Sequence, residues 1–450
     1  MNYRRSMMGQ KPHHPVFESG REQTGHQKSR PGRRSRLLGG AVVSAVVAVF
    51  VSMVAFGASP ASAAASPTGC GFATGSSGKY ANTICYIDFT SYDETTARSA
   101  AGQPFTVSLG GGYTATFVLT SQAIPNRPFW GTLPASAPAM APFSAWANQY
   151  YNSTPGQPVL WNVVGFNAAD PNTGASGVKY TLSNIAVTGP GGSPVQDYKF
   201  VTGDAEASST GEKITFSSDK NLDLLEPLVS ADNPAAGCLQ ANTTGIGTTS
   251  VVCQGQGGAM IPHASNELFA SQSPTTISQT IDASSRNGGV FGFMMSKVQL
   301  NKTVASRKNP TDSFDVSVTD GSSTLATAST GTGNSATTGQ VVTLSTSTVT
   351  LAETPTGGTD LSQYTGSWQC TRNGVNDPSI TPANGATSLT LAPNQAQTGD
   401  FVDCTITNTA VINTPLLHGG VVGGGAAVLA VMLVGLIGYR RFYANTSTTR

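Results

Sequence analysis

The sequence predicts an all-β protein: two antiparallel β-sandwich domains, flanked by an N-terminal signal helix and a C-terminal transmembrane helix. Three observations predict it. Charged residues make up only 11% of the 450, well under the usual quarter. Fifty-one glycines, with abundant Ser and Thr, suit short strands joined by turns rather than long helices. Apolar residues recur with period two through the interior, and no 3.6-residue stretch of useful length appears.

Residues 1–65 read as a leader and signal peptide. Arg33, Arg34 and Arg36 form a basic region, residues 37–58 are mostly apolar, and small residues offer cleavage near Ala63 or Ala65. The alternative is a membrane helix that stays uncut. Arg33-Arg34 points toward twin-arginine export, but Arg36 stands where that signal takes an apolar residue, so general secretory export is the expectation. Nine of the 25 basic residues precede Ala65 and three follow Tyr439, whereas Glu18 and Glu22 are the only acidic residues in those ends. The body therefore holds 13 basic and 22 acidic side chains, a net charge near −9. With no basic cluster it is not expected to bind nucleic acid, because phosphate neutralisation needs Lys and Arg.

Residues 68–298 form the first predicted sandwich. In "FTVSLGGGYTATFVLT", Phe105, Val107 and Leu109 share one face, and Tyr113, Ala115, Phe117 and Leu119 do so after three glycines, a β-hairpin pattern. "YTLSNIAVTGPGGSPVQDYKFVTG" repeats the logic around Gly-Pro-Gly-Gly. "GEKITFSSD" and "GGVFGFMMSKVQL" supply further strands. One face of the sheet is expected buried and one solvated. The blocks "GKYANTICYIDFTSYD", "GGYTATFVLT", "VTGDAEASSTGEKITFSSDKNLDLLE" and "SPTTISQTIDASSRNGGVFGFMMSKVQLNKTVAS" resemble the lectin-like second non-repetitive domain of CshA-type surface adhesins. The resemblance covers about half the chain. It implies an adhesin-like ectodomain whose partner is a host or neighbouring-cell surface glycan or matrix protein.

Candidate contact residues lie in "FWGTLPASAPAMAPFSAWANQYYN", which gathers Phe129, Trp130, Phe143, Trp146, Tyr150 and Tyr151. Trp130, Trp146, Tyr150 and Tyr151 are the ligand-binding candidates, since aromatics on loops offer large contact area at low entropy cost. The competing role is to fill the core beneath a long loop. Asp204 and Glu206 can offer oxygens to calcium or sit on a solvated turn. Asp88, inside an apolar strand, either accepts hydrogen bonds from a turn, the structural role preferred here, or points to solvent.

Residues 299–412 form a second, smaller sandwich, rich in Thr, Ser and Gly, with Asn373-Gly374 as a hairpin signal and "SLTLAP" and "DFVDCTITNTAVI" as strands. Three pieces resemble the prealbumin-like, CnaB-type domains of surface stalks. "VQLNKTVAS" is similar to the first strand, with Lys302 at the reactive lysine. "VTLAETPTG" is similar to the Y-x-L-x-E-T block, with Val349 in place of Tyr and Glu353 as the acid. "CTITNTAV" is similar to the last strand, with Asn408 at the reactive asparagine. The resemblance implies an autocatalytic isopeptide bond between Lys302 and Asn408, assisted by Glu353.

Six cysteines, Cys70, Cys85, Cys238, Cys253, Cys370 and Cys404, lie in the exported part and point to disulfides. Pairing between sequence neighbours, 70–85, 238–253 and 370–404, is the simplest of the fifteen arrangements. Zinc is not expected, since there is no C-x-x-C, and no cofactor or metal is implied. His263 lies in "GGAMIPHASNELF" with no G-x-S-x-G nearby, and Ser217-Ser-Asp-Lys220 lies in strand-like sequence, so no catalytic constellation is seen and an enzyme is not expected. A glycosidase pair built on Asp204 and Glu206 has no further support.

Residues 420–439 carry no charge and are long enough to span a bilayer. Arg440 and Arg441 follow, which places the tail 440–450 in the cytoplasm. The tail resembles a Gram-positive sorting signal, but Thr414-Pro415-Leu416-Leu417-His418-Gly419 lacks the first Leu and the Thr of that motif. The expectation is a membrane-retained, single-pass surface adhesin of an actinobacterial type. The alternative is a structural stalk or coat protein without a ligand.

Overall fold

A computed structural model describes residues 67–135, 150–163, 173–205, 208–229, 233–256 and 264–412. The predicted leader 1–65, span 420–439 and tail 440–450 lie outside the described residues. Among those described, no helix is long and apolar enough to cross a membrane. The short helix Glu94–Arg98, capped by Asp93, was not signalled by periodicity.

The first body is a two-layered β-structure with an aromatic interior. One layer runs through Gln103–Gly110, Tyr113–Ala123, Thr173–Thr188, Thr276–Ser285 and the first half of Lys213–Leu228. That last strand is shared. Its residues 213–218 pair with 277–282, while 222–228 pair with 266–271 in the second layer. The second layer continues through Ala264–Gln272, Lys199–Asp204, Gly288–Met294, Ile84–Ile87 and Cys70–Gly71. Between the layers Phe117 meets Phe293 at 6.3 Å, and Tyr180 meets Phe291 at 6.5 Å.

The hairpin expected around Gly110, Gly111 and Gly112 is present, with Phe105 opposite Phe117 and Val107 opposite Ala115. The second expected hairpin is present around Gly-Pro-Gly-Gly but short: Val187 and Thr188 pair with Val195 and Pro194, and Lys199–Asp204 then crosses to the other layer. "GGVFGFMMSKVQL" is likewise two strands, Gly288–Met294 and Ser296–Val304, with Met295 between them.

The expectation of one solvated face holds for Tyr113–Ala123, which alternates in burial, and fails for the second layer. All seven residues of Gly288–Met294 are buried. Ile84, Tyr86, Val201, Leu268 and Val290 form a second apolar cluster on the outer face, covered by Ala73, Ala81, Tyr151 and Trp161. A strand buried on both faces reads as a continuous apolar run rather than an alternation. The cover is pinned at Asp88, which accepts from Gln157 N at 2.8 Å, Thr90 N at 3.0 Å and Thr90 Oγ at 2.6 Å. Gly156 beside it has φ +77°, and a Cβ there would stand 2.4 Å from Asp88 Cγ.

The second body packs a six-stranded sheet on a four-stranded one. The first holds Ser335–Thr337, Ser296–Val304, Phe401–Ala410, Tyr364–Arg372 and Val375–Asn376 in order, with Val341–Thr343 also on Ser296–Val304. The second holds Ser323–Ser329, Ser313–Asp320, Val349–Thr356 and Ser388–Leu391. The wholly antiparallel expectation is corrected here, because the first and last strands lie side by side in parallel, from Lys297 opposite Phe401 to Val304 opposite Asn408. A parallel pair needs a long crossover, and residues 305–400 supply it. Asn373 and Gly374 both take positive φ in the predicted hairpin.

The six cysteines are bonded as Cys70–Cys85, Cys238–Cys253 and Cys370–Cys404. Each bridge across a separation of 15 residues restricts the unfolded chain by about 3 kcal/mol.

Candidate functional site

Burial alternates from Val298 to the end of Ser296–Val304, so that Val298, Leu300, Lys302 and Val304 share the inward face. Lys302 is thus a cation at an apolar position of the first strand, with its side chain at 0% exposure. On the facing sheet Val349, Leu351 and Glu353 point inward by the same alternation. Lys302 Nζ lies 2.9 Å from Glu353 Oε1. Asn408, on the last strand opposite Val304, donates Nδ2 to the same Oε1 at 2.6 Å. One carboxylate oxygen therefore gathers two side chains from neighbouring parallel strands.

The surroundings are apolar. Val304, Phe314 and Tyr364 form a small cluster there, and Lys302 Nζ sits 4.8 Å from the Phe314 ring centre. Gly366 pairs with Asn408 across the ladder, and a Cβ on it would lie 3.4 Å from Asn408 Oδ1. Burial lowers the Lys302 pKa to about 8, opposed by the charge of Glu353 and its hydrogen bond. An amine so placed is neutral in a useful fraction near neutral pH and is then a nucleophile. Phe314, Tyr364 and Gly366 were not singled out from the sequence. The first two look like ordinary core residues, and only the register pairs Gly366 with Asn408.

The aromatic candidates do not form one surface. Trp130 is 56% exposed. It stands between Phe129, whose ring lies 4.3 Å from the Arg98 guanidinium, and Gly131, which abuts Glu94. Tyr150 is half-buried and donates its hydroxyl to Val229 O at 2.7 Å. Tyr151 is corrected as a contact residue. It is wholly buried in the outer-face cluster, edge-on to Tyr86 at 5.7 Å, with its hydroxyl bonded to Glu226. Trp146 and Phe143 lie outside the described residues.

Asp204 is fully buried, not on a solvated turn, and accepts from Ser208 Oγ at 2.6 Å. Glu206 and His263 lie outside the described residues. Among those described, no group of three or more His, Cys, Asp or Glu is placed to hold a metal. Ser217 and Lys220 lie on a strand, Lys213–Leu228.

Residues 82–295 match the family of surface adhesin CshA non-repetitive domain 2, and residues 297–410 match a prealbumin-like fold domain. No curated protein matches the chain. Among solved structures, the major pilin of Streptococcus pyogenes is similar at 11% identity over 56% of this chain and 73% of that one, with a TM-score of 0.19. The N-terminal domain of a Streptococcus gordonii adhesin is similar at 11% identity over 73% of this chain and 84% of that one, with a TM-score of 0.27.

Proposed function

We propose that this chain, a CshA-type adhesin domain followed by a prealbumin-like domain, is a cell-surface adhesin whose second sandwich is a covalently locked spacer. The observation that carries the reading is the buried Lys302–Glu353–Asn408 contact between the first and last strands. Neutral Lys302 Nζ attacks Asn408 Cγ. A bond forms between Nζ and Cγ, the bond from Cγ to Nδ2 breaks, and ammonia leaves. Glu353, in contact with both nitrogens, passes a proton from the attacking lysine nitrogen to the departing one. The products are one secondary amide and one ammonia, with no net proton taken up.

The intact mass of the chain tests this. It should fall short of the sequence mass by one ammonia, beyond the hydrogens lost to three disulfides, and Lys302→Ala should abolish that deficit. An unmodified wild-type mass refutes the crosslink.

For the first sandwich, the family match and exposed Trp130 support attachment to a host or neighbouring-cell surface, with a glycan or matrix protein as partner. Residues 420–439 followed by Arg440 and Arg441 would hold the body at the membrane, with the second sandwich innermost. A glycan and matrix-protein array reads the first claim, and silence across it favours a stalk without a ligand, which the burial of Tyr151 also suits. Release by detergent rather than by wall digestion reads the second.

A further inference from the structure

A second buried lysine sits where the two sandwiches meet. Met294 ends one strand and Ser296 begins the next, so the chain passes between the bodies through Met295. Lys297 is 3% exposed. It lines a narrow pocket shared by both bodies, with Phe72, Thr83, Cys85 and Phe293 from the first and Val342 from the second. Its Nζ lies 2.9 Å from the Phe72 ring centre and donates to Gln340 Oε1 at 3.0 Å. Gln340 in turn donates to Asn82 Oδ1 at 3.4 Å. The amine thereby ties the cover of the first sandwich to a loop of the second.

The pocket gives Nζ one acceptor, Gln340 Oε1, and one aromatic face, Phe72, but no counter-charge for an ammonium. An ammonium brings a third donor and a charge stripped of water. Lys302, five residues on, has Glu353 as counter-charge, whereas no carboxylate among the described residues lies within ion-pair distance of Lys297. The charged groups on the surrounding elements are engaged elsewhere: Asp403, on the strand paired with that of Lys297, accepts from Asn301 Nδ2 at 2.7 Å. Asp197 accepts from Ser345 N and Oγ, Thr346 N and Thr398 Oγ. Asp400 pairs with Arg372 and meets Lys297 only through its backbone oxygen, at 2.8 Å from the Lys297 N. Lys79 lies over Tyr80. Burial holds the Lys297 pKa well below that of a free lysine.

We propose that Lys297 is an acid-released latch between the two sandwiches. With the amine neutral the seam is closed and the sandwiches move as one body. Protonation of Lys297 opens the seam and lets the first sandwich swing about Met295. The sign follows from linkage. The closed seam excludes a proton that the open seam accepts, so closure is strongest above the ordinary lysine range, weakens as pH falls from there towards the lowered pKa, and changes no further below it.

Amide hydrogen exchange on the full chain, with rates corrected for the intrinsic effect of pH, tests the latch. The pH is taken from about 8 to about 5, which stays above the usual carboxylate range. The reporters are the seam amides of Ser345 and Thr346, which both bond to Asp197 of the first sandwich. Their protection should drop about tenfold or more, while Phe117 in the first core keeps its own. Lys297→Met should hold the seam protected at both values, and Lys297→Gln serves if that variant folds poorly. Unchanged wild-type protection overturns the proposal. So does an equal drop in the variants, which would assign the effect to another group such as Asp403, whose carboxyl burial pushes up.

Discussion

Lys302 is the residue on which the crosslink turns, and its protonation sets the pace. Because burial brings its pKa to about 8, the neutral fraction climbs as pH rises through that value. Crosslinking of freshly refolded chain, followed by mass, should therefore quicken from mildly acidic to mildly alkaline pH. A rate that falls over that range would contradict the assigned nucleophile. In an Asn408→Ala chain, which cannot crosslink, the same group acts on stability. The unfolded lysine keeps its proton up to about 10.4, whereas the folded one loses it near 8. Denaturant stability should then rise with pH across that window and show no contribution from Lys302 below it. Glu353→Gln should leave the mass unmodified and cost about 3–5 kcal/mol, the usual penalty for stranding a buried charge. The three residues were legible through the resemblance of the segments around Lys302, Glu353 and Asn408 to the strands of prealbumin-like domains. Lys297 was not, because it opens its strand and its pocket is completed by residues more than two hundred positions earlier, such as Phe72 and Cys85.

Among the elements, those that alternate were legible and those covered twice were not. Tyr113–Ala123 and Phe401–Ala410 announce their inward faces residue by residue. Gly288–Met294 shows only that it is buried, because the segment over its outer face comes from the chain around Ala73 and Tyr151. The same blindness misplaced Tyr151, since the aromatic-rich stretch does not reveal which of its rings turn down onto a sheet. Gly156 gives this cover a test. Its φ is +77°, and a Cβ added to it would meet Asp88 Cγ at 2.4 Å. Gly156→Ala therefore strains the backbone and displaces the carboxylate that holds Gln157. A loss of about 1–3 kcal/mol is expected, read as a lower denaturation midpoint. Trp161, in the covered cluster, should become more accessible to a quencher. A silent substitution would mean the cover is not pinned at Asp88.

At the scale of the whole molecule, the order of strands and bonds decides how tension would pass. Force from the first sandwich enters at Ser296 and leaves the second beyond Ala410. These two strands are parallel neighbours, so their ladder is loaded in shear, all bonds together. A Lys302–Asn408 bond would shunt the load from one strand to the other and leave residues 303–407 slack. The bridge Cys370–Cys404, with a separation of 34 residues, lies wholly inside the slack part. It would stiffen the sandwich without bearing tension. Single-molecule pulling from the two ends separates the cases. In wild type, a reductant should add length only from the first sandwich's two bridges. In Lys302→Ala, the same reductant should add a further increment from the 34 residues held by Cys370–Cys404, roughly 120 Å at about 3.5 Å per residue. Equal increments in the two chains would show that tension runs through the interior of the second sandwich, and the shunt would be wrong.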